Sequence, residues 1–101
     1  MKQTESLTWI LYDITKNRSR NKVAKACKEA GLYRVQKSVF VGPIEHNRLD
    51  ELALYIEDLI DPDNDKVYIF PMCEADFRKV QLQGQAFDKK LVHGDVRSMF
   101  L

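Results

Sequence analysis

A single carboxylate stands near the start of the chain, between an apolar segment and a strongly basic one. Asp13 lies near the end of the apolar run Leu7–Ile14, and lysines and arginines dominate the residues that follow. One carboxylate by itself is a poor site for Mg²⁺, which prefers octahedral oxygen ligands and keeps several waters. Taken alone, Asp13 is explained as the end of a strand that accepts hydrogen bonds from nearby backbone amides.

The cations after Asp13 belong to an uneven distribution of charge along the chain. The formal net charge is only +1. Residues 16–37 contain eight cations and one anion, whereas residues 44–65 contain eight anions and one cation. Such a division favours either a cationic surface that binds phosphates or two ordinary solvated helix faces. The candidate nucleic-acid-binding residues of this stretch are Arg18, Arg20, Lys22, Lys25 and Lys28.

Other kinds of site find little support in the sequence. Asp61–Asp65 resembles the start of a calcium-binding loop, but Lys66 stands where that loop needs glycine and Met72 where it needs glutamate, so a plain turn is predicted. Cys27 and Cys73 are far apart and outside any CxxC pattern, which predicts two reduced thiols. The sequence contains no phosphate-binding glycine loop and no recognisable hydrolase triad.

Composition bounds the class of protein. With 101 residues, 45% hydrophobic and 31% charged, the chain is expected to form one globular domain over residues 1–101. Its apolar segments are too short for a membrane helix, and its N-terminus lacks the features of a signal peptide. We therefore expect a cytoplasmic protein.

Hydrophobic periodicity predicts the elements that position these residues. Each of two predicted helices carries one apolar stripe, so both are expected on one face of a small sheet. This layout becomes a ferredoxin-like α+β sandwich if Tyr33–Val41 contains two strands, although the residues by themselves favour one strand with Arg34 and Phe40 on the same side. The predicted elements are a strand at Leu7–Ile14, a helix capped by Asn17 or Ser19 that runs to about Ala30 and stops at Gly31, a strand at Tyr33–Val41 broken by Gly42-Pro43, a helix at Asn47–Ile60, a strand at Lys66–Met72, a helical turn at Glu74–Val80 and a short strand at Phe87–Val92.

Several of these segments, in this order, resemble the small CRISPR-associated adaptation protein, also called the CRISPR-associated endoribonuclease family. The resemblance covers roughly the first three quarters of the chain. The segments that carry it are Tyr12-Asp13-Ile14, the basic helix through Lys28, Gly31, the segment Arg34–Gly42, the leucine-rich second helix and Lys66–Phe70.

The resemblance implies a βαββαβ fold, with the break between two strands near Gln36 to Ser38. It also implies a homodimer whose sheets face each other, in which residues 74–101 add a C-terminal strand that completes the dimer. Members of the family work beside the larger CRISPR integrase in capturing new spacers, so the integrase subunit and nucleic acid are the expected partners.

The resemblance further implies either Mg²⁺- or Mn²⁺-dependent cleavage of RNA or DNA, or a non-catalytic DNA-binding scaffold for the integrase. Asp13 matches the family's metal-binding acid, and a two-fold axis would bring two such carboxylates to one metal. Arg20, Arg34 and Phe40 match positions linked to activity, with both arginines expected to bind phosphate. Phe40 is expected either to stack on a base or, preferably, to pack the dimer core. Lys22 stands where a second arginine is common.

Overall fold

The computed structural model describes residues 3–87, which form a four-stranded antiparallel sheet with three helices. The strand order is β2-β3-β1-β4, so the first strand lies between the third and the fourth. This is the predicted ferredoxin-like βαββαβ arrangement, followed by one short helix. The elements are β1 (Glu5–Asp13), α1 (Asn17–Glu29), β2 (Tyr33–Gln36), β3 (Val39–Glu45), α2 (His46–Leu59), β4 (Lys66–Met72) and α3 (Glu74–Lys79).

Alternation along β1 divides the sheet between two apolar clusters. Ile10 and Tyr12 belong to the larger cluster, which α1 and α2 cover with residues such as Cys27 and Ile56. Leu7 belongs to a smaller cluster on the opposite face. There it packs with Val41, Phe77 of α3 and the partly buried Trp9. The two predicted helices therefore share one face, and within residues 3–87 the opposite face is covered around Phe77 of α3.

The chain turns between β2 and β3 at Lys37 and Ser38, where the resemblance placed the break. The interpretation of Tyr33–Val41 as one strand is therefore wrong. An irregularity in the strand register between Arg34 and Gln36 accompanies the turn. The Arg34 side chain holds this turn by donating to the Lys37 carbonyl three residues away. The backbone N–H of Tyr12 on β1 donates to the Ser38 carbonyl, a long-range bond that local periodicity cannot show.

Gly42-Pro43 does not break the strand as predicted, because β3 continues to Glu45. Pro43 pairs with Leu7 on β1, whereas the pairing between β2 and β3 extends only to Val41. Pro43 therefore lies where β3 has a neighbour on one side only, and such an edge position tolerates a residue without an N–H.

The helix boundaries agree with the predicted spans to within one or two residues, but the cap of α1 differs. Lys16 occupies the N-cap position without a side-chain cap bond, so the assignment of Asn17 or Ser19 as the cap is wrong. The Asn17 side chain instead accepts a hydrogen bond from Arg20. Gly31 follows the end of α1 with φ of +89°, a conformation that favours glycine.

The remaining predicted elements are confirmed as far as the structure describes them. These are the turn Asp61–Asp65, the strand Lys66–Met72 and the helical turn at Glu74–Val80. The two cysteines are free, with Cys27 buried and Cys73 exposed. Within residues 3–87 no helix has the length and apolarity needed to cross a bilayer. The predicted strand Phe87–Val92 lies almost wholly outside the described residues.

Candidate functional site

Asp13 is the last residue of β1, and its side chain is exposed. Its cross-strand neighbour is Lys66, the first residue of β4. Among residues 3–87 the Asp13 carboxylate has no hydrogen-bond partner. The backbone amides expected to bind it are therefore not its partners within this part of the chain, and its oxygens are available to an external ligand.

Arg20 lies beside the residue that follows Asp13. Its Nη1 donates to the Ile14 carbonyl oxygen over 2.9 Å, and its Nη2 donates to Asn17 Oδ1. These bonds fix the half-buried guanidinium in the first turn of α1. Arg20 is therefore anchored to the residue that follows Asp13.

Arg34 and Phe40 lie next to each other in the β2–β3 hairpin. Arg34 Nε and Nη2 donate to the Lys37 carbonyl oxygen over 3.0 and 2.6 Å, and the guanidinium carbon is 5.5 Å from the centroid of the Phe40 ring. Two of the three guanidinium nitrogens thus hold the turn. Phe40 itself is 0% exposed and packs in the core of one protomer, rather than in a dimer core. Its buried ring leaves no face on which a base could stack.

Tyr12 lies close enough to Arg20 and Arg34 to feel both charges, and the sequence analysis did not identify it as a site residue. Its ring stacks with Phe40 at a centroid distance of 6.3 Å, and its hydroxyl donates to the Lys37 carbonyl oxygen over 3.4 Å. Burial raises the pKa of the Tyr12 phenol, while the positive charges of Arg34 and Arg20 oppose that shift. The phenol therefore stays protonated at neutral pH. The available signal was its position before Asp13, on the face of β1 that the helices cover.

The other predicted nucleic-acid-binding residues form one exposed strip along α1. We call the four cations Arg18, Lys22, Lys25 and Lys28 the basic track. With 3.6 residues per turn they occupy about 120° of the helix surface, and Lys28 lies about 15 Å along the axis from Arg18. The track therefore begins near Asp13 and leads away from it.

A groove between α1 and α2 borders the basic track. Its volume is about 520 Å³, and Lys22, Lys25 and Arg48 line it together with the acids Glu29 and Glu51. Lys25 Nζ lies 4.0 Å from a Glu29 carboxylate oxygen on the same helix. These acids lower the positive potential on the α2 side, so the track is most strongly cationic on its outer side.

The face of the sheet away from α1 and α2 exposes two aromatic side chains on β4. Tyr68 is 54% exposed and Phe70 is 48% exposed, and their rings stack with centroids 6.3 Å apart. Leu11 pairs with Tyr68 across the strands. Asp13 alternates with Leu11 along β1, so its carboxylate belongs to this face. We call this surface the open face.

One chain alone does not assemble a multidentate metal site in the described region. No group of three or more His, Cys, Asp or Glu side chains in residues 3–87 is placed to bind one ion. Asp13 supplies the donor type that Mg²⁺ and Mn²⁺ prefer, with both oxygens available. A metal at this position therefore needs further ligands from outside residues 3–87.

Comparison with known proteins agrees with this fold. Residues 6–80 match the family model described as CRISPR associated protein Cas2. The chain is 42% identical over 71 residues to "CRISPR-associated endoribonuclease Cas2" of Desulforudis audaxviator, covering 70% of this chain and 67% of that one. Its structure is similar to a hypothetical protein, TT1823, from Thermus thermophilus, with a TM-score of 0.66, 29% identity and coverage of 79% and 92%. Cas2 of Streptococcus pyogenes shares the fold, with a TM-score of 0.67 at 23% identity, covering 77% of this chain and 99% of that one. The chain belongs to the Cas2 family of CRISPR-associated proteins.

Proposed function

We propose that the protein is a phosphodiesterase that cleaves RNA or DNA with the help of Mg²⁺ or Mn²⁺, in the capture of new CRISPR spacers. The observation that carries this proposal is the exposed Asp13 carboxylate, which has no partner within residues 3–87. The Arg20 guanidinium is anchored to the carbonyl of the next residue, Ile14. The curated relative from Desulforudis audaxviator is named an endoribonuclease, which supports nucleic acid as the substrate class.

The proposal requires a homodimer, because one Asp13 per chain is too few ligands for a divalent cation. An isologous contact between two open faces would bring the two Asp13 carboxylates toward one axis. Tyr68, Phe70 and Leu11 supply apolar surface for this contact. Trp9 Nε1 is buried without a partner among residues 3–87, which is consistent with a neighbour beyond that region.

The residues around Asp13 have separate tasks in this proposal. A cation bound by the two carboxylates would lower the pKa of a water and neutralise charge on the scissile phosphate. Arg20 adds a fixed positive charge for a phosphate oxygen, although two of its nitrogens also contact the protein. Arg34 and Tyr12 hold the Lys37 carbonyl and so fix the β2–β3 turn, which makes them contributors to the shape of the site. Phe40 supports them from the core.

A second candidate is a non-catalytic dimer that binds duplex DNA and spaces two units of the CRISPR integrase. The basic track favours this function, because its four cations are exposed and lead away from Asp13. The engagement of Arg20 and Arg34 by carbonyl oxygens of the protein favours it as well. This function needs the track and the dimer but has no use for Asp13.

The deciding experiment compares Asp13→Asn with the wild type in two parallel assays. One assay measures cleavage of single-stranded RNA and duplex DNA with Mg²⁺ or Mn²⁺, and the other measures spacer integration together with the integrase. Asp58→Asn on the exposed side of α2 is the matched control. We expect Asp13→Asn to abolish cleavage, because the amide keeps the shape but loses the charge that binds the cation. Cleavage that resists a chelator, or full activity of Asp13→Asn, contradicts the catalytic proposal. No cleavage by the wild type together with normal integration supports the scaffold.

A further inference from the structure

Asp65 is a buried carboxylate at the same end of the sheet as Asp13. It is 9% exposed and directly precedes Lys66, which pairs with Asp13. Its Oδ1 accepts hydrogen bonds from Thr15 N at 2.9 Å and from Thr15 Oγ1 at 3.0 Å. Its Oδ2 accepts a third bond from Asp61 N at 2.9 Å. The carboxylate therefore joins the loop after β1 to the turn before β4.

The same loop is held from its other side by Arg20. Asp65 binds the amide of Thr15, while Arg20 Nη1 binds the carbonyl of Ile14. Ile14 is 2% exposed, so its side chain is also fixed in the core. The loop between Asp13 and α1 is thus restrained by the Asp65 carboxylate, the Arg20 guanidinium and the buried Ile14 side chain, and the first two lie outside the loop.

We propose that Asp65 is a positioning residue, which holds the Ile14–Lys16 loop so that the Asp13 carboxylate and the Arg20 guanidinium keep a fixed relative placement. The inference rests on the proposed function for its catalytic consequence. Without Asp65 the loop keeps the Arg20 contact but loses its attachment to β4. Arg20 then moves relative to Asp13, because the pairing with Lys66 still holds Asp13 in the sheet.

Asp65 is suited to this role rather than to binding a metal. Three donors already use its two oxygens, and the backbone N–H groups of Asp61 and Thr15 hold the pKa of its carboxyl below the usual value. The group is therefore ionised at neutral pH and directed into the protein. Asp13 is exposed at the neighbouring strand end, so the two acids have different tasks.

The test uses the full chain and three variants with similar shapes. Asp65→Asn replaces one carboxylate oxygen by an NH₂ group, which cannot accept the hydrogen bond from Asp61 N or those from Thr15. Thr15→Val removes only the hydroxyl bond, whereas Thr15→Ser keeps it and serves as the conservative rescue. Asp63→Asn, on an exposed residue of the same turn, is the control. The measurements are amide hydrogen exchange at Thr15, the NMR signals of the Arg20 side chain, and kcat and KM for cleavage.

In Asp65→Asn we expect Thr15 amide exchange to accelerate about tenfold, because one charge-assisted bond is lost, and the Arg20 signals to show increased motion. We expect kcat to fall on the order of 100-fold as the reacting groups shift, with KM and duplex binding nearly unchanged. Thr15→Val should give a smaller loss in the same direction. Thr15→Ser and Asp63→Asn should behave as the wild type.

Unchanged exchange at Thr15 in Asp65→Asn overturns the inference, as does faster exchange with unchanged kcat. If Asp65→Asn does not fold, Thr15→Val against Thr15→Ser decides in the same way. If the wild type cleaves nothing, the proposed function has failed. Amide hydrogen exchange at Thr15 and the NMR signals of the Arg20 side chain then still decide whether Asp65 positions the loop.

Discussion

The two faces of the sheet differ in what covers them. On the helix side, α1 and α2 bury Phe40 and Ile10 completely. On the open face, Tyr68 and Phe70 keep about half of their surface exposed, and the described chain covers only the region around Phe77. Burial of large apolar side chains stabilises a fold, whereas an exposed aromatic surface marks a place for interaction. The helix side therefore stabilises the protomer, and the open face is the surface to which we assign the proposed dimer contact.

Neighbouring residues of β1 belong to these different faces. Tyr12 packs against Phe40 under the helices, and Asp13 emerges at the strand end with a carboxylate free of partners within residues 3–87. Two residues that are adjacent in sequence thus separate into a buried position and an exposed one. Period-two alternation in a strand produces this separation without any special loop.

The largest expected effect comes from breaking the helix side. Phe40→Ala should lower the free energy of unfolding by about 3–5 kcal/mol, because it leaves a cavity beneath both helices. Urea denaturation of the purified variant measures this loss. Leu54→Ala, on an α2 residue that is 64% exposed, should stay within about 0.5 kcal/mol of the wild type. A Phe40→Ala protein as stable as the Leu54→Ala control would contradict the described core.

Breaking the open face should change association and leave the protomer folded. Replacing Tyr68 and Phe70 together by lysine places two charges in the proposed contact, and the dimer dissociation constant should rise on the order of 100-fold. Sedimentation velocity measures the association, and circular dichroism measures the fold. The paired change Tyr55→Lys with Leu54→Lys, on the exposed side of α2, is the control. Equal association of both double variants would mean that the open face is not the dimer contact.

A smaller effect concerns the outer side of α1, which lies on neither face of the sheet. Charge reversal of Lys22 and Lys25 to glutamate should weaken binding to duplex DNA about tenfold or more at moderate salt and flatten its salt dependence. Fluorescence anisotropy at several salt concentrations measures both quantities. Reversal of Lys66, a cation on the sheet, should have less effect on binding. Unchanged affinity after reversal at Lys22 and Lys25 would show that the basic track is misassigned.

Most strands and both long helices can be predicted from the sequence, but the β2–β3 turn cannot. Apolar patterning predicts β1 from a nearly continuous apolar run, and it predicts both long helices from one repeating apolar stripe each. Lys37-Ser38 carries no glycine, asparagine or proline, so the β2–β3 turn has only the weak local signal of Ser38. It is made by Arg34 and by Tyr12, which lies on another strand. Alternation does place Arg34 and Phe40 on one side correctly, because they pair across β2 and β3, and Phe40 lies on the side that the helices cover.

The candidate site also contains features that the sequence reveals and features that it does not. Asp13 and the cations of α1 are visible in the sequence, because a charge after an apolar run and a cluster of lysines are local features. The attachment of Thr15 to Asp65 joins residues 50 positions apart and has no periodic pattern. A dimer contact also leaves no local signature beyond exposed aromatic residues. Long-range bonds and association are thus the parts that only a folded structure or a relative can supply.

Dimers that contain one wild-type chain and one Asp13→Asn chain show whether the proposed cleavage needs the Asp13 carboxylate of both protomers. Wild-type chains are allowed to exchange with a tenfold excess of Asp13→Asn chains, and Mg²⁺-dependent cleavage is measured per wild-type chain. Most wild-type chains then have a variant partner. If both carboxylates are needed, activity per wild-type chain is expected to fall about tenfold. The same excess of Asp58→Asn chains should cause no fall in that activity. Activity per wild-type chain that stays constant as Asp13→Asn is added would contradict the account, because each protomer would then act with its own Asp13 alone.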